Sequence, residues 1–304
     1  MKQKVLITGG TGLIGSHLIE FLKNKNFEIA VLSRNDKLNL NGVKTFYWNP
    51  ENGYIDNAAL ENARIIIHLA GENIATSNWT LKKRKKIINS RIKSTLLLVD
   101  RIKQLDSKPH TFISASAIGY YGTFTSDQIL EEDDPPGTDF LAGVVKTWES
   151  AVDLFDKMGI RTIKLRIGVV LSAKGGALPK MISSAKAGFF APVGNGEQKI
   201  AWIHVSDLVK VIYFMIQTPG IKGIYNAVAP QCVTNTEFMR YLAYSTGKKF
   251  LNIHLPAWIM KLRFGEMANL FTKGTCVSAR KLLDAGFVFD YPQLQDALND
   301  LVPR

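Results

Sequence analysis

Residues Thr8-Gly9-Gly10-Thr11-Gly12-Leu13-Ile14-Gly15 constrain this chain more than any other stretch. They follow a short apolar run of β type, KVLIT at 4–8, and precede a helix-patterned segment over 13–24 with Leu18, Phe21 and Leu22 on one side. The run satisfies both G-x-G-x-x-G and G-x-x-G-x-x-G. Glycines in that place permit a tight turn and close backbone approach to a diphosphate, and the start of the helix offers open N–H groups and a positive dipole end. A glycine pattern alone is weak, but its position between a strand and a helix is the context that gives it meaning. Thr8 through Gly15 are therefore the first candidate cofactor-binding residues.

The remaining periodicity agrees with a β–α–β reading. Strands are predicted at 28–32 (EIAVL), 64–70 (RIIIHLA), 111–116 (TFISAS), 161–167 (RTIKLRI) and 223–228, and helices over about 80–103 and 140–158. Apolar runs such as 64–70 suit strands buried on both faces. Alternation of this kind predicts an α/β fold, a Rossmann-type doubly wound parallel sheet with right-handed crossovers. Past Val170 the pattern changes. Loops carrying Gly175-Gly176 and Gly194-Asn195-Gly196 appear, and 231–304 reads as mainly helical. We expect a cofactor domain over 1–230 with substrate-lobe insertions around 171–200, and a smaller, partly interleaved C-terminal lobe over 231–304.

Composition narrows the partners. Of 304 residues, 46% are hydrophobic and 21% charged, which argues against wholesale disorder. No apolar run reaches the roughly 18 residues of a membrane span. The N-terminus MKQKVLITGG enters a strand without a signal-like stretch, so a cytoplasmic protein is expected. In that compartment Cys232 and Cys276 read as two separate buried thiols. The five histidines lack metal-ligand spacing, so no metal site is expected. The net charge of +12 favours an anionic ligand. Its densest run, Lys82-Lys83-Arg84-Lys85-Lys86, reads as a solvated helix face, because no aromatic platform or nucleic-acid motif accompanies it. The expected partner is a small molecule, with no nucleic acid and no membrane, on a monomer or homodimer.

The end of the second strand bears on which nicotinamide cofactor is used. An acidic residue there would bind a ribose 2′-hydroxyl, whereas this chain has Ser33-Arg34-Asn35. Arg34 could grip a 2′-phosphate through charge-assisted hydrogen bonds, which points to NADP(H); Asp36, just beyond, is the competing candidate for NAD.

TGGTGLIG, then HLAG at 68–71, then SASAIGYYG at 114–122 resemble, in that order, the extended short-chain dehydrogenase/reductase superfamily. More narrowly the chain resembles its atypical NAD(P)-dependent epimerase-like family, the "epimerase family proteins" also described as cell-division-inhibitor homologues. That likeness spans nearly the whole chain. It rests on HLAGENIA (68–75), SRIKST (90–95), DFLAGVVKTWE (139–149), RIGVVLSAKGGAL (166–178), WIHVSDL (202–208), YNAVAP (225–230), GEMANLF and KLLDAGFVFDYPQLQDAL. The resemblance implies that Leu69, Ala70 and Gly71 back the adenosine and ribose side of the cofactor. It also implies that Val170 lies near the nicotinamide, and that Arg91 reaches the phosphates or ribose from a place where typical members carry Asn.

Superfamily chemistry uses a Ser or Thr together with a Tyr and a Lys four residues later. A phenol with a pKa near 10 needs neighbouring positive charge to act as a base at neutral pH. Ser116 and Lys146 fit two of these positions, but the Tyr position is Ala142, which cannot move a proton. Tyr120 is carried as the candidate replacement, with Tyr121 as an alternative. Glu72, at the end of HLAG, is open to a cofactor-binding, catalytic or merely exposed role. The substrate side is expected to include Gly175-Gly176, the 194–196 loop, Trp202, His204 and Asn226. His204 reads more readily as structural than as a base, and Trp202 and Trp79 as packing groups. An NADP(H)-dependent oxidoreductase or epimerase acting on a carbonyl or hydroxyl carbon is expected, with a nucleotide-sugar-like molecule as the candidate substrate. The alternative is a cofactor-binding sensor without turnover.

Overall fold

The apolar run Gln3–Thr8 forms β1, buried from Lys4 onward, and ends where Gly9 turns at a φ of +71°. The computed structural model describes residues 2–185 and 188–302. After β1 come α1 (Leu13–Lys23), β2 (Phe27–Ser33), β3 (Lys44–Asn49), β4 (Tyr54–Ile55), β5 (Ala63–His68), α2 (Leu81–Lys103) and β6 (Thr111–Ala117). Next are β7 (Ile129–Leu130), α3 (Phe140–Lys157), β8 (Arg161–Ile167), β9 (Val169–Leu171), α4 (Leu178–Ser184), β10 (Phe189–Phe190), β11 (Lys199–Ile200), β12 (Trp202–His204), α5 (Val205–Gln217) and β13 (Gly223–Ala227). The main sheet has the order β13-β8-β6-β5-β1-β2-β3-β4. Its pairs are parallel except for the antiparallel β3–β4.

Strand order reverses at β1, with β2 and β3 on one side and β5, β6, β8 and β13 on the other. In such sheets the crevice for ligands opens beyond the carboxyl ends of the strands at that reversal, here between β1 and β5. Side-chain caps fix where the long helices start. Thr80 accepts from the Lys83 N–H at α2, and Asp139 from the Ala142 N–H at α3.

Two apolar cores support this frame. The larger centres on Leu6, Ile7, Ile66, Phe112, Ile163 and Leu165, all fully buried; each such side chain contributes roughly 1.5–3 kcal/mol relative to exposure. The second joins Leu171, Leu178 and Trp202 to Phe238 and Leu242 of α6 (Asn235–Ser245) and to Leu294 and Leu298 near the C-terminus. Segments from 171–202 and from beyond 229 thus share one core.

Three features differ from the sequence expectations. Cys232 and Cys276 are not separate thiols but form a disulfide, with Cα atoms 5.7 Å apart and 44 residues between them in sequence. The strand Cys276–Val277 pairs with β7 and is brought by it to the loop after β13, a closeness that sequence separation conceals. The basic run 82–86 is not simply a solvated face. Lys83 is buried, Lys83 and Lys86 both pair with Glu72, and Arg84 pairs with Glu266. β3 and β4 were not anticipated, because the polar stretch around them hides their short alternation. Among the described residues no helix is long and apolar enough to cross a membrane.

Candidate functional site

The glycine turn is shaped by contacts that leave no room for a side chain. A Cβ on Gly9 would lie 2.8 Å from the Leu69 carbonyl carbon, and one on Gly15 would lie 2.3 Å from Gly9 O. The turn closes through Gly12 N–H to Gly9 O (2.9 Å). Gly12 is the N-cap of α1 and offers no side-chain acceptor, so the first-turn N–H groups face the crevice mouth open to an anion. This cradle fits a dinucleotide diphosphate. Thr8 and Gly10 are buried within it, Thr11 and Gly12 are exposed, and Leu13 and Ile14 are half-buried.

The opposite lip is the end of β5. His68 is fully buried between Thr8 Oγ1 (2.8 Å from Nδ1) and Thr95 Oγ1 (3.1 Å from Nε2). Burial, with Arg91 nearby, pushes its pKa down to about 3, so it stays neutral. Thr8 Oγ1 also accepts from the Leu69 and Ala70 N–H groups, which ties the glycine turn to the second lip. Arg91 braces that lip from below. Its Nη1 donates to the carbonyls of Glu72 and Ile87, and its guanidinium packs against Gly71 and over Trp148. Glu72 points to Lys83 (2.7 Å) and Lys86 (3.3 Å). Burial opposes its charge, but these two lysines outweigh burial and hold the carboxyl below its usual range.

At the end of β2, Ser33 Oγ accepts from the Asn35 N–H (3.0 Å). Arg34 is exposed and has no hydrogen bond or ion pair among the described residues. Asp36 is exposed as well.

Near the carboxyl ends of β6, β8 and β13, Ser116, Arg166 and Asn226 form a rank. Ser116 Oγ donates to Glu149 Oε1 (2.5 Å), and Glu149 takes Arg166 through two bonds of 2.9 and 3.0 Å. Arg166 Nη1 donates to the Tyr121 hydroxyl (3.0 Å) and the Glu132 carbonyl, and Tyr121 donates to Asn226 Oδ1 (2.7 Å). Burial disfavours the Arg166 charge, yet Glu149 more than compensates and raises its pKa; burial pushes Tyr121 up to about 12. The Ser116 proton is thus committed to a carboxylate inside a buried ion-pair network. Tyr120 is half-buried, with the Arg166 guanidinium 3.4 Å from its ring centre and no hydrogen bond to its hydroxyl among the described residues. Lys146 is exposed on α3 with its ammonium unpaired there, and Ala142 is fully buried. Sequence reasoning missed Glu149, Arg166 and Glu132. A signal existed: RTIKLRI places Thr162, Lys164 and Arg166 on one face of its strand.

Residues 175–176 lie against the start of α1. Val170 in β9 pairs with Ile203, and the 175–176 glycines lie on Leu13, where a Cβ on Gly176 would come within 2.9 Å. His204 caps α5 by accepting from the Ser206 N–H and stacks on Tyr291, a structural role. Its Nε2 sits 3.2 Å from Asp300 but out of line for a hydrogen bond. Trp202 and Trp79 donate to the carbonyls of Gln231 and Ile74, consistent with packing roles. A groove of about 1050 Å³ lies at the other edge of the sheet, between Lys4, Glu28, Lys44 and Arg64, away from the glycine turn. The open helix start and the glycine cradle are at the crevice, so the diphosphate chemistry belongs there.

Fold and crevice define a class: dinucleotide-binding Rossmann proteins of the extended short-chain dehydrogenase/reductase type. The chain belongs to the NAD dependent epimerase/dehydratase family, whose profile matches residues 5–227, and a domain of unknown function (DUF1731) matches residues 255–301. It is 35% identical to an epimerase family protein of Staphylococcus haemolyticus, over 99% of both chains. It is 31% identical to epimerase family protein SDR39U1 of Mus musculus, over 98% of this chain and 99% of that one. Human SDR39U1 (isoform 2), crystallised with NADPH, matches with a TM-score of 0.86 and 29% identity, covering 98% of this chain and 99% of its own. A nucleoside-diphosphate sugar epimerase from Corynebacterium glutamicum matches at 0.79 and 29%, covering 99% of this chain and 58% of its own.

Proposed function

We propose that the protein binds NADP(H) and acts as an oxidoreductase or epimerase on a carbonyl or hydroxyl carbon of a small molecule. The glycine cradle opposite Leu69–Glu72 carries this reading, with the unpaired Arg34 at the end of β2 selecting the 2′-phosphate. The related human protein crystallised with NADPH supports the choice of cofactor, and the nucleoside-diphosphate sugar epimerase supports a nucleotide-sugar-like substrate class. When bound, the cofactor supplies or accepts hydride.

The chain's own residues orient and hold protons around that exchange. Thr8–Gly15 receive the diphosphate, with Leu69, Ala70 and Gly71 behind the adenosine side and Arg91 bracing them. Val170 walls the nicotinamide end. Lys146, unpaired and exposed, holds ribose hydroxyls. Tyr120, its ring against the fixed Arg166 guanidinium and its hydroxyl without a hydrogen bond among the described residues, is the candidate proton donor in place of the absent phenol at Ala142. Ser116 acts through Glu149, because its hydroxyl already donates its hydrogen bond to that carboxylate. The proposed setting is the cytoplasm, where the Cys232–Cys276 bond would be open to reduction, with the protein as a monomer or homodimer.

A second reading, an NADP(H)-responsive protein without turnover, is favoured by Ala142 together with the committed Ser116. NADPH oxidation by a panel of carbonyl compounds, together with NADP+ reduction or epimer formation from sugar nucleotides, separates the two. Turnover that falls at least roughly 100-fold in Tyr120→Phe fits the loss of a general acid and supports the enzyme. Binding without turnover on every substrate supports the second reading.

A further inference from the structure

The start of α2 meets the C-terminal end of the helix α7 (Ala257–Phe264). Asn78 Nδ2 donates to Arg263 O (3.3 Å), and Arg84 pairs with Glu266. What the two present to solvent is both apolar and cationic. Leu81 is 87% exposed, Leu262 82% and Trp258 66%, and no residue of α7 is buried. Trp258 and Leu262 are four apart and share a helix face, as do Leu81 and Lys85. Single exposed leucines are ordinary, but large apolar side chains grouped on two adjoining elements mark a contact surface.

Charge identifies what that surface contacts. Lys82, Lys85 and Lys261 are exposed and have no ion pair among the described residues, and Arg263 leans only on the Phe264 ring. The sequence carries no carboxylate between Asn73 and Val99, and only Glu266 between Phe238 and Leu283. Glu266 is neutralised by Arg84, and Glu72 below it by Lys83 and Lys86. A partner offering only acidic groups would pair the cations yet leave Leu81, Leu262 and Trp258 in water. A bilayer with anionic headgroups accommodates both, with leucines at the acyl boundary, Trp at headgroup level and Lys and Arg on the lipid phosphates.

We propose that this face docks the protein on an anionic membrane surface. Helices that follow parallel strands begin at the strands' carboxyl edge, so α2 starts beside Leu69–Glu72 and the docked protein turns its crevice mouth to the lipid. This goes beyond the cofactor reading and does not need it.

The test is co-sedimentation of the full chain with phosphatidylcholine vesicles, with and without phosphatidylglycerol. Binding is expected only with the anionic lipid, and loss is expected in about 1 M salt, where the Debye length is about 3 Å. Lys82→Gln with Lys85→Gln should weaken it by roughly tenfold or more, and Leu81→Ser with Leu262→Ser, which leaves the charge unchanged, should weaken it comparably. NADPH affinity measured on the same variants reports intact folding, and its failure in wild type would count against the cofactor reading alone. Absence of wild-type binding, or serine variants that bind as wild type does, overturns the proposal. So does a lipid-free dimer that Leu262→Ser dissociates, which would assign the face to a second copy of this chain.

Discussion

Arg34 shows how much a single side chain decides. It stands where an acidic residue would favour NAD, it is exposed, and no neighbour satisfies it among the described residues. Arg34→Ala should weaken NADPH by about 1–3 kcal/mol, the worth of a charged hydrogen bond, and leave NADH nearly unchanged. Equal losses for both cofactors in a binding titration would reject the assignment. His68 makes a different prediction. Its folded pKa of about 3 lies below the ordinary value of 6.5 because burial excludes the charged form. The unfolded chain therefore binds the extra proton first. The stability that neutral His68 contributes is complete above pH 6.5 and is lost as the pH falls from there towards 3, by up to about 1.4 kcal/mol per pH unit. Urea midpoints across that window should slope downward in wild type and more shallowly in His68→Asn.

At the scale of elements, the site depends on how α3 meets the rank of β6, β8 and β13. Among the described residues, Glu149 on α3 is the only group holding both Ser116 and Arg166. Glu149→Ala leaves the Arg166 guanidinium buried without its carboxylate and should cost about 3–5 kcal/mol in chemical denaturation. Glu149→Gln, which keeps one acceptor, should cost less. Little of this network was legible in the sequence. The glycine turn could be read because its chemistry is local: a strand, a helix and the glycines between them fall within twenty residues. Long apolar strands and capped helices were legible for the same reason, and their ends lie within a residue or two of expectation. Glu149, Arg166, Tyr121, Asn226 and Glu132 come from five separate segments, and the register of β8 with β13 together with the packing of α3 and two loops on it brings them together. The Cys232–Cys276 bond was hidden likewise, since it depends on a two-residue strand pairing with β7.

Across the whole molecule, the reversal at β1 sets the crevice, and residues 175–176 lie against the start of α1 beside it. A ligand bound there stabilises the fold by mass action. The central claim is that the open amides after Gly12 receive the diphosphate of NADP(H), and calorimetric titration of NADPH into the ligand-free protein tests it most directly. The account predicts one site per chain with a Kd of about 1 μM to 100 μM, abolished in Gly15→Ala, whose added carbon would meet Gly9 O at 2.3 Å. Absence of binding heat with both NADPH and NADH up to about 1 mM, some 4 kcal/mol of affinity, would contradict it.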